Sequence, residues 1–143
     1  AAKVGMRQVV SFNTEMSDGN PVYHTNVMMA VGEEFAVVCD EVIEAGLRDL
    51  VCNTLSQDKT LVSINESQMN QLCGNILQLR NRHGESVIVM SLSAYSAFTE
   101  AQKRTLRQFG KLVPIDVTTI ETIGGGSVRC MMGEIFLPRQ NAS

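Results

Sequence analysis

The 143-residue sequence predicts an α/β chain built from a repeated strand, strand, helix, strand unit, and three observations carry that prediction. Three short segments are alike: Val9-Val10-Ser11-Phe12-Asn13, Leu61-Val62-Ser63-Ile64-Asn65 and Leu112-Val113-Pro114-Ile115-Asp116 start at positions 9, 61 and 112. Each is an apolar run closed by Asn or Asp, residue types that cap a following helical turn. His24-Thr25-Asn26-Val27, Cys73-Gly74-Asn75-Ile76 and Gly125-Gly126-Ser127-Val128 follow in step, each expected to open a further strand. Between these landmarks a hairpin pattern gives way to an amphipathic helix. A period of about 50 residues points to propellers or arrays, because one such unit cannot bury its apolar face alone.

The elements follow in order. A leading strand is expected at Val9 to Phe12. Val27 to Val31 and Phe35 to Cys39 read as a hairpin around Gly32-Glu33-Glu34. Ile43, Leu47, Leu50, Val51 and Leu55 then recur at helical spacing. The run from Leu61 closes the first unit, and Asn65-Glu66-Ser67-Gln68 caps a helical turn. In the second unit Ile76 to Leu79 and Val87 to Met90 flank the polar loop Arg80-Asn81-Arg82-His83-Gly84. A capping box, Thr99-Glu100-Ala101-Gln102, starts a helix that presents Gln102, Leu106 and Phe109 along one side before Gly110 stops it. A trailing strand is expected from Val128 to Leu137. Residues 1–143 thus read as one partial domain of two full units and two orphan strands.

A net charge of −3 and a pI near 5.3 give nucleic acid or an anionic membrane surface no electrostatic reason to bind. No apolar run approaches the roughly 18 residues of a membrane span, and the first residues lack a signal-peptide core, so a cytoplasmic location is the default expectation. The start at Ala1 rather than Met hints at processing or truncation. Cys39, Cys52, Cys73 and Cys130 form no Cys-x-x-Cys pair, and the two histidines do not cluster with them. Zinc-ligand spacing is therefore absent, no metal or cofactor is expected, and three of the thiols are expected to be buried.

The segment most suggestive of chemistry is Gly124-Gly125-Gly126-Ser127-Val128-Arg129-Cys130. Successive glycines mark backbone in unusual dihedrals or in close approach to a ligand, and a cysteine just beyond them can face what they admit. The plain alternative is a glycine turn followed by a buried structural thiol. On a strand Arg129 would point away from Cys130, so an activator must come from elsewhere. His24 is the candidate, because it precedes a strand at the repeat position that corresponds to the glycine loop. His83, in the Arg-rich loop, is expected to be solvated.

Asn20 to Met29, Gly74-Asn75-Ile76-Leu77-Gln78-Leu79, and Gly124 to Cys130 followed by Glu134-Ile135-Phe136-Leu137-Pro138 together resemble the C-terminal half of the guanidino-group-modifying enzymes. Within that superfamily they are most similar to the amidinotransferase-like, citrulline-utilisation hydrolase branch. The resemblance covers nearly the whole chain. It implies a five-unit αβ-propeller, the pentein, with the site on its central axis; Cys130 would be the nucleophile and His24 the general acid/base. It also implies that Gly125, Gly126 and Ser127 lie against the substrate. A thiolate attacking a guanidino or ureido carbon, with an imidazole protonating the departing nitrogen and then activating water, is sound chemistry.

Two departures from the family pattern matter. The arginine-deiminase-like branches carry an aspartate two positions after the histidine, where this chain has Asn26. An amide supplies no countercharge, so a neutral ureido substrate such as citrulline is expected over arginine. The N-terminal half, with the carboxylate that orients the histidine, is missing; Asp40, Glu41 and Glu44 are expected to be solvated or to sit at a helix start. The expected partners are therefore a small ureido or guanidino substrate and a second polypeptide, or another copy of this chain, that completes the ring. Amidino transfer is the alternative within the same chemistry, and a non-catalytic structural or regulatory half the alternative outside it.

Overall fold

The computed structural model describes residues 9–134. After the short helix α1 (Thr25–Met28), β1 (Met29–Val31) and β2 (Phe35–Val38) form an antiparallel pair, with Met29 opposite Val38. Helix α2 (Ala45–Ser56) then crosses over, and β3 (Thr60–Ser63) lies parallel to β2, with Val37 opposite Val62. Helix α3 (Glu66–Asn70) leads to the second unit. There β4 (Leu77–Arg80) pairs antiparallel with β5 (Ser86–Ser91), helices α4 (Leu92–Ala97) and α5 (Glu100–Leu106) cross over, and β6 (Lys111–Ile115) runs parallel to β5. Helix α6 (Thr118–Gly124) follows. The two sheets, ordered β1-β2-β3 and β4-β5-β6, have the same topology. The expected unit is therefore present twice.

Local signals account for much of this. Asn65 and Thr99 both form the anticipated capping boxes, with Gln68 and Gln102 reaching back to the cap backbone. β2 is buried along its whole length, as a central strand covered on both faces should be. One core runs through both units, with Phe35, Val37, Met69, Ile88, Met90, Phe98 and Leu106 among its buried side chains. Phe35 stacks on Phe109 with centroids 5.5 Å apart, which joins the first hairpin to the turn after α5. Gln68 donates to the Ala97 carbonyl and Gln102 to the Ser63 carbonyl, so the capping side chains also tie the units together.

Several expectations are corrected. Val9 to Phe12 makes no strand: a strand exists through its ladder, and among the described residues this stretch has only the adjoining Thr14–Ile43 bridge beyond its end. Val10 and Phe12 instead pack as half-buried side chains against the core. Val27 and Met28 belong to α1 rather than to the hairpin. On α2, Val51 is buried and Leu47 and Leu55 are half-buried against the core, but Leu50 is exposed and Ile43 precedes the helix. Helix α4 was not anticipated, and Phe109 lies beyond α5.

The largest correction concerns the trailing strand. Val128–Met131 is a 3-10 turn, and Ile135 to Leu137 lie outside the described residues. Ser127 and Val128 are both buried while Cys130 is exposed, a pattern that strand alternation cannot produce. The strand argument about Arg129 falls with it. Its N–H donates to the Asn75 side chain, and its guanidinium lies 3.4 Å from the Met29 carbonyl oxygen. Among the described residues no helix is long and apolar enough to cross a membrane.

Candidate active site

His24 is the N-cap of α1, in extended backbone (φ −150°), and its side chain is exposed. The Tyr23 ring meets its imidazole edge-on at 6.0 Å. The Tyr23 hydroxyl donates to the Gly125 carbonyl at 3.0 Å, so one side chain ties the histidine segment to the glycine loop. That loop begins where α6 ends: Gly125 has φ +65°, a left-handed cap that glycine adopts without cost. A Cβ on Gly126 would stand 3.2 Å from the Cys130 Cβ and 3.3 Å from its Sγ. The absent side chain is what lets the loop fold over the cysteine.

Beneath the loop, Ser127 is fully buried and its hydroxyl donates to Glu121 at 2.6 Å. Ser93 donates to the other oxygen of the same carboxylate. Partial burial pushes the Glu121 carboxyl upward, but hydrogen bonds from Ser127, Ser93 and Ser91 outweigh it and hold the group below its ordinary range. Ser127 thus anchors the loop from below and does not line the cleft.

Cys130 Sγ receives the Asn75 side-chain amide at 3.2 Å and the Asn26 amide at 3.7 Å. Its thiol is exposed, whereas burial pushes Cys39 up to about 11 and Cys73 up to about 12. Burial, with Asp40 and Asp49 nearby, raises Cys52 as well. Burial withdraws those three sulfurs to different degrees, whereas Cys130 is exposed, which leaves it as the thiol most open to chemistry.

His24, Asn26, Gly125, Gly126 and Cys130 line one cleft of about 590 Å³, with Tyr23, Leu72 and Asn75. A cleft of about 610 Å³ elsewhere is lined by Glu15, Glu41, Glu44 and Glu66 but holds neither a thiol nor an imidazole. Chemistry, not volume, singles out the cleft at Cys130. Among the described residues no carboxylate hydrogen-bonds to His24. Asp40, Glu41 and Glu44 do not reach it; Glu41 instead accepts from the Glu66 N–H and Glu44 from Asn13.

Sequence reasoning did not single out Asn75, Leu72 or Glu121 for the site. A signal for Asn75 existed, because Asn26, Asn75 and Ser127 occupy the same place in the three aligned tetrapeptides. Leu72 gave none. It has φ +62° and ends α3 in a Schellman turn, with Cys73 N–H bonded to Gln68 O and Leu72 N–H to Met69 O, where glycine is the usual residue.

A family model described as eukaryotic N,N dimethylarginine dimethylhydrolase matches residues 1–137. No curated protein matches the chain in sequence. Among solved structures, AgrE in a ternary complex with ornithine and NAD+ superposes with a TM-score of 0.62 at 16% identity, over 83% of this chain and 16% of that one. ArgZ, an arginine dihydrolase from the ornithine–ammonia cycle in cyanobacteria, superposes in its apo form with a TM-score of 0.59 at 14% identity, over 76% of this chain and 16% of that one. A cysteine-to-serine mutant of the ArgZ N-terminal domain, bound to substrate, gives 0.58 at 14% identity, over 75% of this chain and 36% of that domain. The chain therefore spans about a third of that domain and a sixth of the ArgZ and AgrE chains.

Proposed function

The chain belongs to the N,N-dimethylarginine dimethylhydrolase family, within the guanidino-group-modifying superfamily its sequence resembles, and from that premise we propose that it carries the thiol-bearing part of a hydrolase that cleaves a C–N bond of a guanidino or ureido group. The observation that carries the proposal is the meeting of Cys130, His24, Asn26 and the glycine loop in one cleft.

Cys130 acts as the nucleophile. Its thiolate attacks the central carbon of the substrate and forms a C–S bond; the C–N bond then breaks and the departing nitrogen takes a proton from His24. Water next attacks the same carbon, giving its proton to His24, and the C–S bond breaks with its electron pair returning to sulfur. Gly125 and Gly126 allow the substrate close to the backbone, while Ser127 contributes by holding the loop through Glu121. A carboxylate that orients His24 comes from the rest of the enzyme, as further propeller units of the same protein or of a partner. Asn26 places an amide at the sulfur where a carboxylate would pair with a guanidinium, which favours a neutral ureido substrate such as citrulline.

The test uses the full-length protein and a haloamidine reagent with a 2-carbon electrophile, followed by peptide mapping. Labelling of Cys130 that substrate prevents is the expected result. Labelling confined to Cys39, Cys52 or Cys73 would remove the proposed nucleophile.

A further inference from the structure

Asn75 is 1% exposed, and a buried carboxamide has to find partners for two donors and an acceptor. It finds all three at the site. One amide hydrogen goes to the Asn26 carbonyl at 3.0 Å and the other to Cys130 Sγ at 3.2 Å, while its oxygen accepts the Arg129 N–H at 3.1 Å. Turning the amide over would set oxygen against a carbonyl and a sulfur, and NH2 against an N–H. The orientation is thus fixed by three neighbours at once.

The backbone is arranged to keep it there. The Schellman turn at Leu72 ends α3, and the Asn75 N–H bonds to the Leu72 carbonyl at 2.9 Å. Gly74 lets the turn press against α1, since a Cβ there would overlap the Val27 carbonyl oxygen. A left-handed leucine is costly, and here it directs a buried amide at a sulfur.

We infer that Asn75 is a catalytic residue whose amide N–H stabilises Cys130 as the thiolate. The inference rests on the proposed nucleophile and adds a donor to it. A donor held on sulfur favours the charged form over the neutral one, and this donor is in place before substrate arrives. Asn26, at 3.7 Å, is the longer of the two amide contacts and is free to turn toward substrate; Asn75, with every polar atom engaged, is not.

The test is the pH dependence of Cys130 alkylation by iodoacetamide in the full-length protein, followed by mass spectrometry of the Cys130 peptide. Asn75→Ala removes the donor, and Asn75→Asp keeps the size and the acceptor for Arg129 while replacing the donor with oxygen. Both variants should move the alkylation midpoint upward by about one pH unit, the Asp variant further because its charge repels a thiolate. Near-ultraviolet circular dichroism identifies a variant that has lost its fold, and the other then decides. Cys130 alkylated with an unshifted midpoint in the folded variants overturns the role of Asn75 alone. Failure of Cys130 to react in the unaltered protein removes the nucleophile, and this inference with it.

Discussion

At the scale of single residues, the environment of each cysteine sets one exposed thiol, Cys130, apart from the buried Cys39 and Cys73 and the half-buried Cys52. Cys73 lies fully buried with its sulfur 3.5 Å from the Ala94 carbonyl oxygen, and Cys39 is buried beside Asp40 and Glu41. A neutral alkylating agent at pH 7 should therefore modify Cys130 first and reach Cys39 and Cys73 only on unfolding, which timed peptide mapping would read. His24→Ala in the assembled enzyme should lower turnover by roughly 10²-fold or more, with an unchanged circular dichroism spectrum because the side chain is exposed. Near-normal turnover would place the acid/base elsewhere. Asn26→Asp should raise the ratio of kcat/KM on arginine to that on citrulline; a strong arginine preference already present in the unaltered protein would contradict the ureido assignment.

At the scale of elements, two close approaches set the shape of the cleft. The turn after α3 presses on the end of α1 through Gly74, where an added methyl meets backbone that has nowhere to go. Gly74→Ala should cost about 1–3 kcal/mol in denaturant unfolding, and it should impair catalysis beyond that loss because Asn26 and Asn75 move with the two segments. Helix α6 controls the other wall. Its Glu121 holds Ser127 and Ser93, and its carboxyl lies below its ordinary range. A carboxyl lowered on folding stabilises above its unfolded value, and that contribution is lost as pH falls through the folded value. Glycine-loop order should thus weaken only below the usual carboxylate range, and Glu121→Gln should remove that acid step from the profile of amide hydrogen exchange at Gly125 and Gly126.

At the scale of the whole molecule, two like units share one core yet leave apolar surface open. Ile123 is 82% exposed on α6, where Ile120 is exposed too, and Leu92 and Ile115 stand out on the second unit. A closed ring of five units, the architecture the family resemblance implies, would cover such surface and remove exposed strand edges. If such a ring is what the proposed enzyme forms, the 143-residue chain alone should associate in light scattering and fall well short of the activity of the ring. A fully active monomer would show that they are dispensable.

The sequence by itself determined the two strand, strand, helix, strand units and both capping boxes. These depend on residues a few positions apart, where periodicity and caps act. Tertiary structure decided what each side chain meets. It turned Val128–Met131 into a 3-10 turn by burying Ser127 and Val128 together, and left Val9 to Phe12 without a ladder. It brought the Asn75 and Asn26 amides to a sulfur 55 and 104 residues away. The repeat put Asn26, Asn75 and Ser127 in equivalent places, but only packing assigned two of them to the cysteine and the third to Glu121. Contacts between distant segments follow from how whole units pack, and no local pattern of apolar and polar residues carries that geometry.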